Sequence, residues 1–171
     1  MTDYCFREAS ISEVPQIWNI LKDAIQRRKE DRSNQWQDGY PNPEVISEDI
    51  EKNGGFVLTL NNEIVGYCAI FVNDEPEYEN IVGKWMTNDD FIVFHRLAVA
   101  QNQIGKGLAQ KMFDAIETHA LSKNIKSIKA DTNFDNPSML NIFEKMGYVY
   151  CGEVYFRGSP RKAFEKVLAS T

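Results

Sequence analysis

Residues 91–133 constrain the fold most. They read FIVFHRLAVAQNQIGKGLAQKMFDAIETHALSKNIKSIKADTN. An apolar β-rich run gives way to a polar stretch with two glycines one residue apart. Apolar residues at helical spacing follow, then a second β-rich run. A strand, a helix and a strand in succession need a crossover that leaves the two strands parallel.

The remaining elements arrange themselves around that crossover. YCFREAS reads as a short strand. SISEVPQIWNILKDAIQRRKED carries Val14, Ile17, Leu21 and Ile25 at helical spacing, with Ser12 as N-cap. NPEVISEDIEKNGG predicts a second helix, capped by Asn42, opened by Pro43 and stopped by Gly54 or Gly55. Two β-rich runs flank Asn61-Asn62, a hairpin signal because Asn tolerates positive φ. DEPEYENIVGKWMTNDD is a polar loop with embedded aromatics, NPSMLNIFEKMG a short helix, and YVYCGEVYF and KAFEKVL are strands around the turn RGSPR. The expected fold class is therefore α/β (α+β): a mixed, mostly antiparallel central sheet of six to seven strands with helices on both faces. With 171 residues, 43% of them hydrophobic, the chain can bury one core, and no Pro/Gly-rich linker divides it. A single domain, 1–171, is expected.

The formal charge of −6 provides no general field for nucleic acid or an anionic membrane, so any anionic ligand must be held by local donors. No apolar stretch approaches the ~20 residues of a membrane span, and MTDYCFREAS lacks the basic and apolar regions of a signal peptide, so a cytoplasmic protein is expected. Cys5, Cys68 and Cys151 are far apart and have no second ligand nearby. They read as buried free thiols, and no metal is expected.

Three uses of the glycines compete. A nucleotide P-loop needs Ser or Thr after its Gly-Lys, whereas Lys106 is followed by Gly107 and Leu108. The dinucleotide fingerprint needs a third glycine where Gln110 stands. What remains is an ordinary strand-to-helix connection, in which glycines are common, or a turn that presents backbone N–H groups at a helix start, where donors lack intrahelical partners and the dipole is positive. Such a turn binds phosphate without a basic surface.

The arrangement FHRLAV, GKGLAQKMFDAI and IKADTNFDNPSMLNIFEKMGY resembles the GNAT family of N-acetyltransferases. The family's pyrophosphate-binding turn aligns with Ile104, Gly105, Lys106, Gly107, Leu108 and Ala109, the small residues matching at Gly107 and Ala109. Its Asn-bearing segment is matched by Asn136, Phe143, Gly147 and Tyr148. Ile104 departs from the pattern, which has a polar side chain there. The resemblance implies an acyl-CoA N-acyltransferase fold that grips acetyl-CoA. Leu97, Ala98 and Val99 would present backbone groups to the pantetheine arm like an added strand, and Asn133 and Asn136 would hydrogen-bond the cofactor. The acetyl thioester would sit where FHRLAV and SIKADTN splay apart.

Direct attack by an amine needs a neutral nucleophile, a donor facing the developing oxyanion and a proton for the thiolate. The backbone N–H of Leu97 or Val99 is the oxyanion donor implied by the resemblance. Many family members protonate the thiolate with a Tyr where this chain has Phe143. Here Tyr148, Tyr150 or Tyr155 serves instead, or water does, or the thiolate leaves unassisted. His95 is the first choice of base, because an unperturbed imidazole titrates near neutrality; Asp131, Glu153 and a water relay are alternatives. On the acceptor side, NQWQDGYPNP and DEPEYENIVGKW place Trp36, Gln37, Tyr40, Tyr78 and Trp85 among Asp38, Glu75, Glu77 and Glu79, a composition suited to a cationic amine. The expected activity is acetyl transfer from acetyl-CoA to a primary amine (a small amine, an amino acid or a peptide N-terminus) in a ternary complex. The competing expectation is an acyl-CoA-binding sensor that has lost turnover. The implied protein is a bacterial monomer or homodimer with no nucleic-acid or membrane partner.

Overall fold

The computed structural model describes residues 3–169. Along it run β1 (Tyr4–Glu8), α1 (Val14–Glu30), α2 (Pro43–Glu51), β2 (Gly55–Leu60), β3 (Glu63–Val72), β4 (Val82–Gly83), β5 (Phe91–Val99), α3 (Leu108–Ser122), β6 (Ser127–Thr132), α4 (Pro137–Lys145), β7 (Val149–Phe156) and β8 (Ser159–Val167). The eight strands form an open mixed sheet in the order β1-β2-β3-β5-β6-β8-β7-β4. The strand beyond the expected number is β4, whose two residues are too few for any alternation to show. β5 and β6 are parallel, as the α3 crossover requires, with register from Phe91↔Ser127 to Val93↔Lys129.

The chain gathers into two compact units. The first holds Met1–Ile70 with Arg96–Ala115, the second Phe71–His95 with Ile116–Thr171. In the first, Ile17, Ile20, Leu21 and Ala24 form the buried stripe of α1 and pack with Ile46, Val57, Tyr67 and Ala98. Val14 and Ile25 lie partly buried at the edge of that stripe. The expected cap at Ser12 is corrected: Ser12 lies inside a short 3-10 turn, Ile11–Glu13, that leads into α1. Ser10 caps that turn, with Glu13, three residues on, accepting from the Ser10 backbone N–H at 2.8 Å and its hydroxyl at 3.1 Å, while Glu13 itself stands at the N-cap position of α1.

Asn42 caps α2 as expected, its Oδ1 accepting from the Val45 N–H at 3.0 Å. The stop, however, is not a glycine. Asn53 takes the left-handed conformation (φ 61°), the Gly54 N–H returns to the Asp49 carbonyl at 2.8 Å, and Gly55 already belongs to β2. Asn61 and Asn62, with φ of 51° and 70°, form the expected hairpin turn. Gly66 on β3 matters to α3: a Cβ there would lie 2.7 Å from the Met112 sulfur, so the missing side chain lets the helix come close. Cys5 is exposed rather than buried, because β1 is an edge strand whose alternate side chains point outward. Cys68 and Cys151 are buried free thiols.

In the second unit Tyr78, Trp85, Val93, Cys151, Val154 and Ala163 form one core. Glu165 is fully buried and accepts from the Met86 N–H at 2.7 Å, the Thr87 hydroxyl at 2.5 Å and the Ser127 hydroxyl at 2.7 Å. The β7–β8 turn is made by Arg157 and Gly158, both at positive φ.

The start of the first unit is also pinned by charge. Arg7 donates to both carboxylate oxygens of Glu13, at 2.9 and 2.7 Å. That hydrogen-bonded pairing holds the Glu13 carboxyl at about 2 instead of its ordinary 4.5. A depressed carboxyl stabilises the fold above its unfolded value and loses that contribution as pH falls through the folded one. Glu13→Gln is therefore expected to lower the urea midpoint near pH 6, and the difference from wild type to close as pH falls from about 4.5 towards 2. Urea titrations at three pH values check it.

Candidate functional site

β5 does not run regularly to its end. In the first unit Arg96 adopts φ 56°, a left-handed conformation inside a strand that costs a non-glycine residue about 1–3 kcal/mol. Its side chain is held from outside the strand. Arg96 Nε donates to Asp49 Oδ2 at 2.9 Å, Nη2 donates to Asp49 Oδ1 at 2.5 Å, and Nη1 donates to the Tyr40 hydroxyl. The Tyr67 hydroxyl donates to Asp49 Oδ2 at 2.7 Å. Only 9% of the Arg96 side chain and 5% of the Asp49 side chain are exposed, so this is a charge pair inside the core. Burial first, and then the Asp49 charge, push the Tyr67 hydroxyl far above the ordinary tyrosine range.

Leu97, Ala98 and Val99 follow, all buried, and the Ala100 N–H returns to the Val65 carbonyl at 2.8 Å. The chain then makes a short 3-10 turn, Gln101–Gln103. Arg27 of α1 secures it by donating to Gln101 Oε1 at 2.5 Å and to the Val99 carbonyl at 3.2 Å. Gly105 and Gly107 have φ of 84° and 76°, and a Cβ on either would meet nothing within 4 Å. Conformation, not crowding, calls for glycine here, and it leaves the backbone uncovered. α3 begins at Leu108. Among the described residues, the amide hydrogens of Gly105, Gly107, Leu108, Ala109 and Gln110 find no protein acceptor, while Lys106 stands exposed beside them. Ile104 is extended and 51% exposed, adding no polar group to the turn.

Of the residues expected on the acceptor side, three lie in this unit. Trp36 is buried in its core with the Arg28 guanidinium 5.1 Å from the ring centroid. Gln37 donates to the Ile25 carbonyl at 3.0 Å. Tyr40 joins the Arg96 pair.

In the second unit His95 Nε2 lies 2.8 Å from Glu75 Oε2, with 18% and 13% of their side chains exposed. Tyr78 donates to Asp131 Oδ2 at 2.6 Å, and Arg161 bonds both Asp131 Oδ1 at 3.2 Å and Asn133 Oδ1 at 3.3 Å. Burial and the Asp131 carboxylate raise the Tyr78 hydroxyl well above its ordinary range. Trp85 donates to the Tyr78 carbonyl at 2.8 Å, and Lys129 sits 4.6 Å from the Trp85 ring centroid. Asn136 is a helix cap, its Oδ1 accepting from the Met139 N–H at 3.2 Å. Phe143 is fully buried and stacked on Phe164 at 4.6 Å. Tyr148, 5.2 Å from Phe143, is buried as well, which pushes its hydroxyl well up. Tyr155 is exposed and donates to Glu153 at 2.9 Å; that bond raises its hydroxyl.

Sequence reasoning missed the Arg96–Asp49–Tyr67 network and the partnership of Glu75 with His95. A signal for the first was present. Asp49 stands between Ile46 and Ile50 at helical spacing, a carboxylate on the apolar side of a short helix. No helix among the described residues is long and apolar enough to cross a membrane.

Comparison with known proteins adds an independent line. Residues 17–148 match the model of the acetyltransferase (GNAT) family. The crystal structure of a GNAT-family acetyltransferase from Streptococcus agalactiae 2603 superposes with a TM-score of 0.90 at 30% identity, over 98% of this chain and 96% of that one. The Salmonella typhimurium protein yncA, solved with its cofactor acetyl-CoA, has the same fold at 13% identity, with a TM-score of 0.69 over 99% of this chain and 96% of that one. A curated relative, the L-2,4-diaminobutyric acid acetyltransferase of Halalkalibacterium halodurans, is 23% identical over 94 residues, 55% of this chain. The chain spans 43% of that protein's length.

The buried pair makes a direct prediction. Removing one partner strands a charge in the core, so Asp49→Ala is expected to lower the unfolding free energy by about 3–5 kcal/mol, measured by urea denaturation.

Proposed function

This chain belongs to the acetyltransferase (GNAT) family, and on that premise we propose that it moves an acetyl group from acetyl-CoA to a primary amine by direct attack in a ternary complex. The observation that carries the proposal is the uncovered turn before α3. Successive amide hydrogens without protein acceptors, a positive helix end and exposed Lys106 together suit a diphosphate, in a protein whose net charge of −6 would otherwise repel one. In this reading Gly105, Lys106, Gly107, Leu108 and Ala109 hold the diphosphate, and the backbone of Leu97, Ala98 and Val99 holds the pantetheine arm. The N–H of Leu97 or Val99 then donates to the oxygen on which charge develops.

The proton balance asks for two further roles. The attacking amine must lose a proton, and His95, hydrogen-bonded to Glu75, is the base we assign. The departing thiolate must gain one. Phe143 has none to give. Tyr148 and Tyr155 remain as donors in our assignment; both carry their proton at neutral pH, and the raised hydroxyls make each a weaker acid than a free tyrosine. Asn133 and Asn136 are assigned to the cofactor, and Asn136 would serve it from its capping position.

For the acceptor, the exposed carboxylates Glu77 and Glu79, on the stretch whose Tyr78 and Trp85 are packed in the core, favour an amine that carries positive charge before it reacts. The name of the curated relative, an acetyltransferase of L-2,4-diaminobutyric acid, supports a small amino-acid amine as the first class to test. The alternative, a sensor that binds acyl-CoA without turnover, draws on Phe143, which is locked in an aromatic stack and has no ionisable proton. Incubation with acetyl-CoA and a panel of amines, recording free thiol, separates the two.

Gly107→Glu places bulk and negative charge on the turn and is expected to weaken CoA binding at least about tenfold by calorimetry. Unchanged affinity would remove the turn from the site. His95→Ala is expected to lower turnover by about 10²-fold with CoA affinity unaltered; an unaltered rate and pH profile would leave His95 with a purely structural role.

A further inference from the structure

We propose that the buried Arg96–Asp49 pair is a positioning device. It holds the left-handed break of β5 so that the amides of the next three residues are aimed at the thioester carbonyl, and it ties that aim to the segment carrying Tyr40. The inference rests on the acetyl-CoA reading above.

Two unfavourable choices converge on one residue. A left-handed residue in a strand is strained unless glycine, and Arg96 is not glycine. A buried ion pair adds no net stability over apolar residues of the same volume, so packing alone gives no reason to place one here. Both sit immediately before Leu97. A strand broken in this way re-aims the groups that follow it, and such breaks recur beside active sites. By Ala100 the chain is again bonded to β3, through the Val65 carbonyl, so the disturbance is confined to a few residues.

The pair is also built to fix direction. The guanidinium uses Nε, Nη1 and Nη2, and its fork meets both oxygens of Asp49 in a plane, which an ammonium cannot do. Asp49 is in turn held by Tyr67 from β3. One planar group thereby sets the relation of the Arg96–Val99 end of β5 to α2, to Tyr67 on β3 and to Tyr40, residues that all lie within the first unit. Arg96 and Asp49 act through the backbone they hold; they are positioning residues.

The test uses a readout that needs no acceptor. Acetyl-CoA labelled with ¹³C at the thioester carbonyl is bound to the full-length protein, and the carbonyl band is read by isotope-edited infrared spectroscopy. With wild type the band is expected to move to lower frequency than in free acetyl-CoA, as hydrogen bonding to the carbonyl requires. In the paired variant Asp49→Leu/Arg96→Met, which strands no charge, CoA affinity is expected to stay within about threefold while most of that shift is lost. Arg96→Lys, which keeps the charge but not the fork, is expected to lose part of the shift and serves if the paired variant does not fold. A full shift retained in a folded variant overturns the proposal, as does a wild-type carrier bound with an unshifted carbonyl. A wild-type protein that binds no CoA overturns the acetyl-CoA reading itself and this inference with it.

Discussion

A residue with positive φ inside a strand has to be held there by something other than the strand. At Arg96 the hold comes from its own side chain. The strain of that conformation is about 1–3 kcal/mol, while hydrogen bonds involving charged groups contribute about 1.5–3 kcal/mol each. Arg96 makes two to Asp49 and a third to Tyr40. The interaction is large enough to fix the conformation, though desolvation of both charges absorbs much of it. The sum favours geometry over stability. Local chain direction is defined closely here at little net gain in folding free energy.

The diphosphate site that we propose for this acidic protein follows a similar economy of means. Net charge acts at long range and is screened within about 8–10 Å at ordinary ionic strength. Amide dipoles act at contact. In the turn before α3 the positive potential comes from backbone that every residue type possesses, and the sequence's contribution is mostly to keep side chains away. Two glycines at positive φ accomplish that, with Arg27 bracing the approach through Gln101 and the Val99 carbonyl. Ile104, exposed and apolar, adds nothing polar to the turn, so in the proposed site the backbone and Lys106 would carry what a polar side chain otherwise shares.

Much of the fold was legible because it is written in short-range terms. The Asn61-Asn62 turn, the Asn42-Pro43 helix start and the strand–glycine–helix junction each depend on residues adjacent in sequence. Misplaced boundaries came from reciprocity that spacing alone shows weakly, as where Glu13 selects Ser10 over Ser12 as cap. β4 escaped notice because two residues carry no period. At the site, the turn and the strand before it could be read directly. Long-range partners could not: Asp49 and Arg96 lie 47 residues apart, and Glu75 and His95 come together only through the fold. Even so, Asp49 betrayed itself locally as a carboxylate on a helix's apolar side, and a buried acid in such a place requires a donor somewhere.

Glu165 supplies a different lesson. Its carboxylate is fully buried, and two of its donors are the backbone amides of Met86 and Thr87. Any residue other than proline brings an amide, so the attachment at Met86 does not depend on its side chain, while Thr87 adds its hydroxyl at 2.5 Å. The exposed carboxylates Glu77 and Glu79 can therefore change while the chain beyond them stays moored to the same acid, whereas Tyr78 and Trp85 belong to the core and are held there. The acceptor contacts we propose for this stretch are thus free to diverge at its exposed carboxylates without loosening the scaffold, and at its rings they are not.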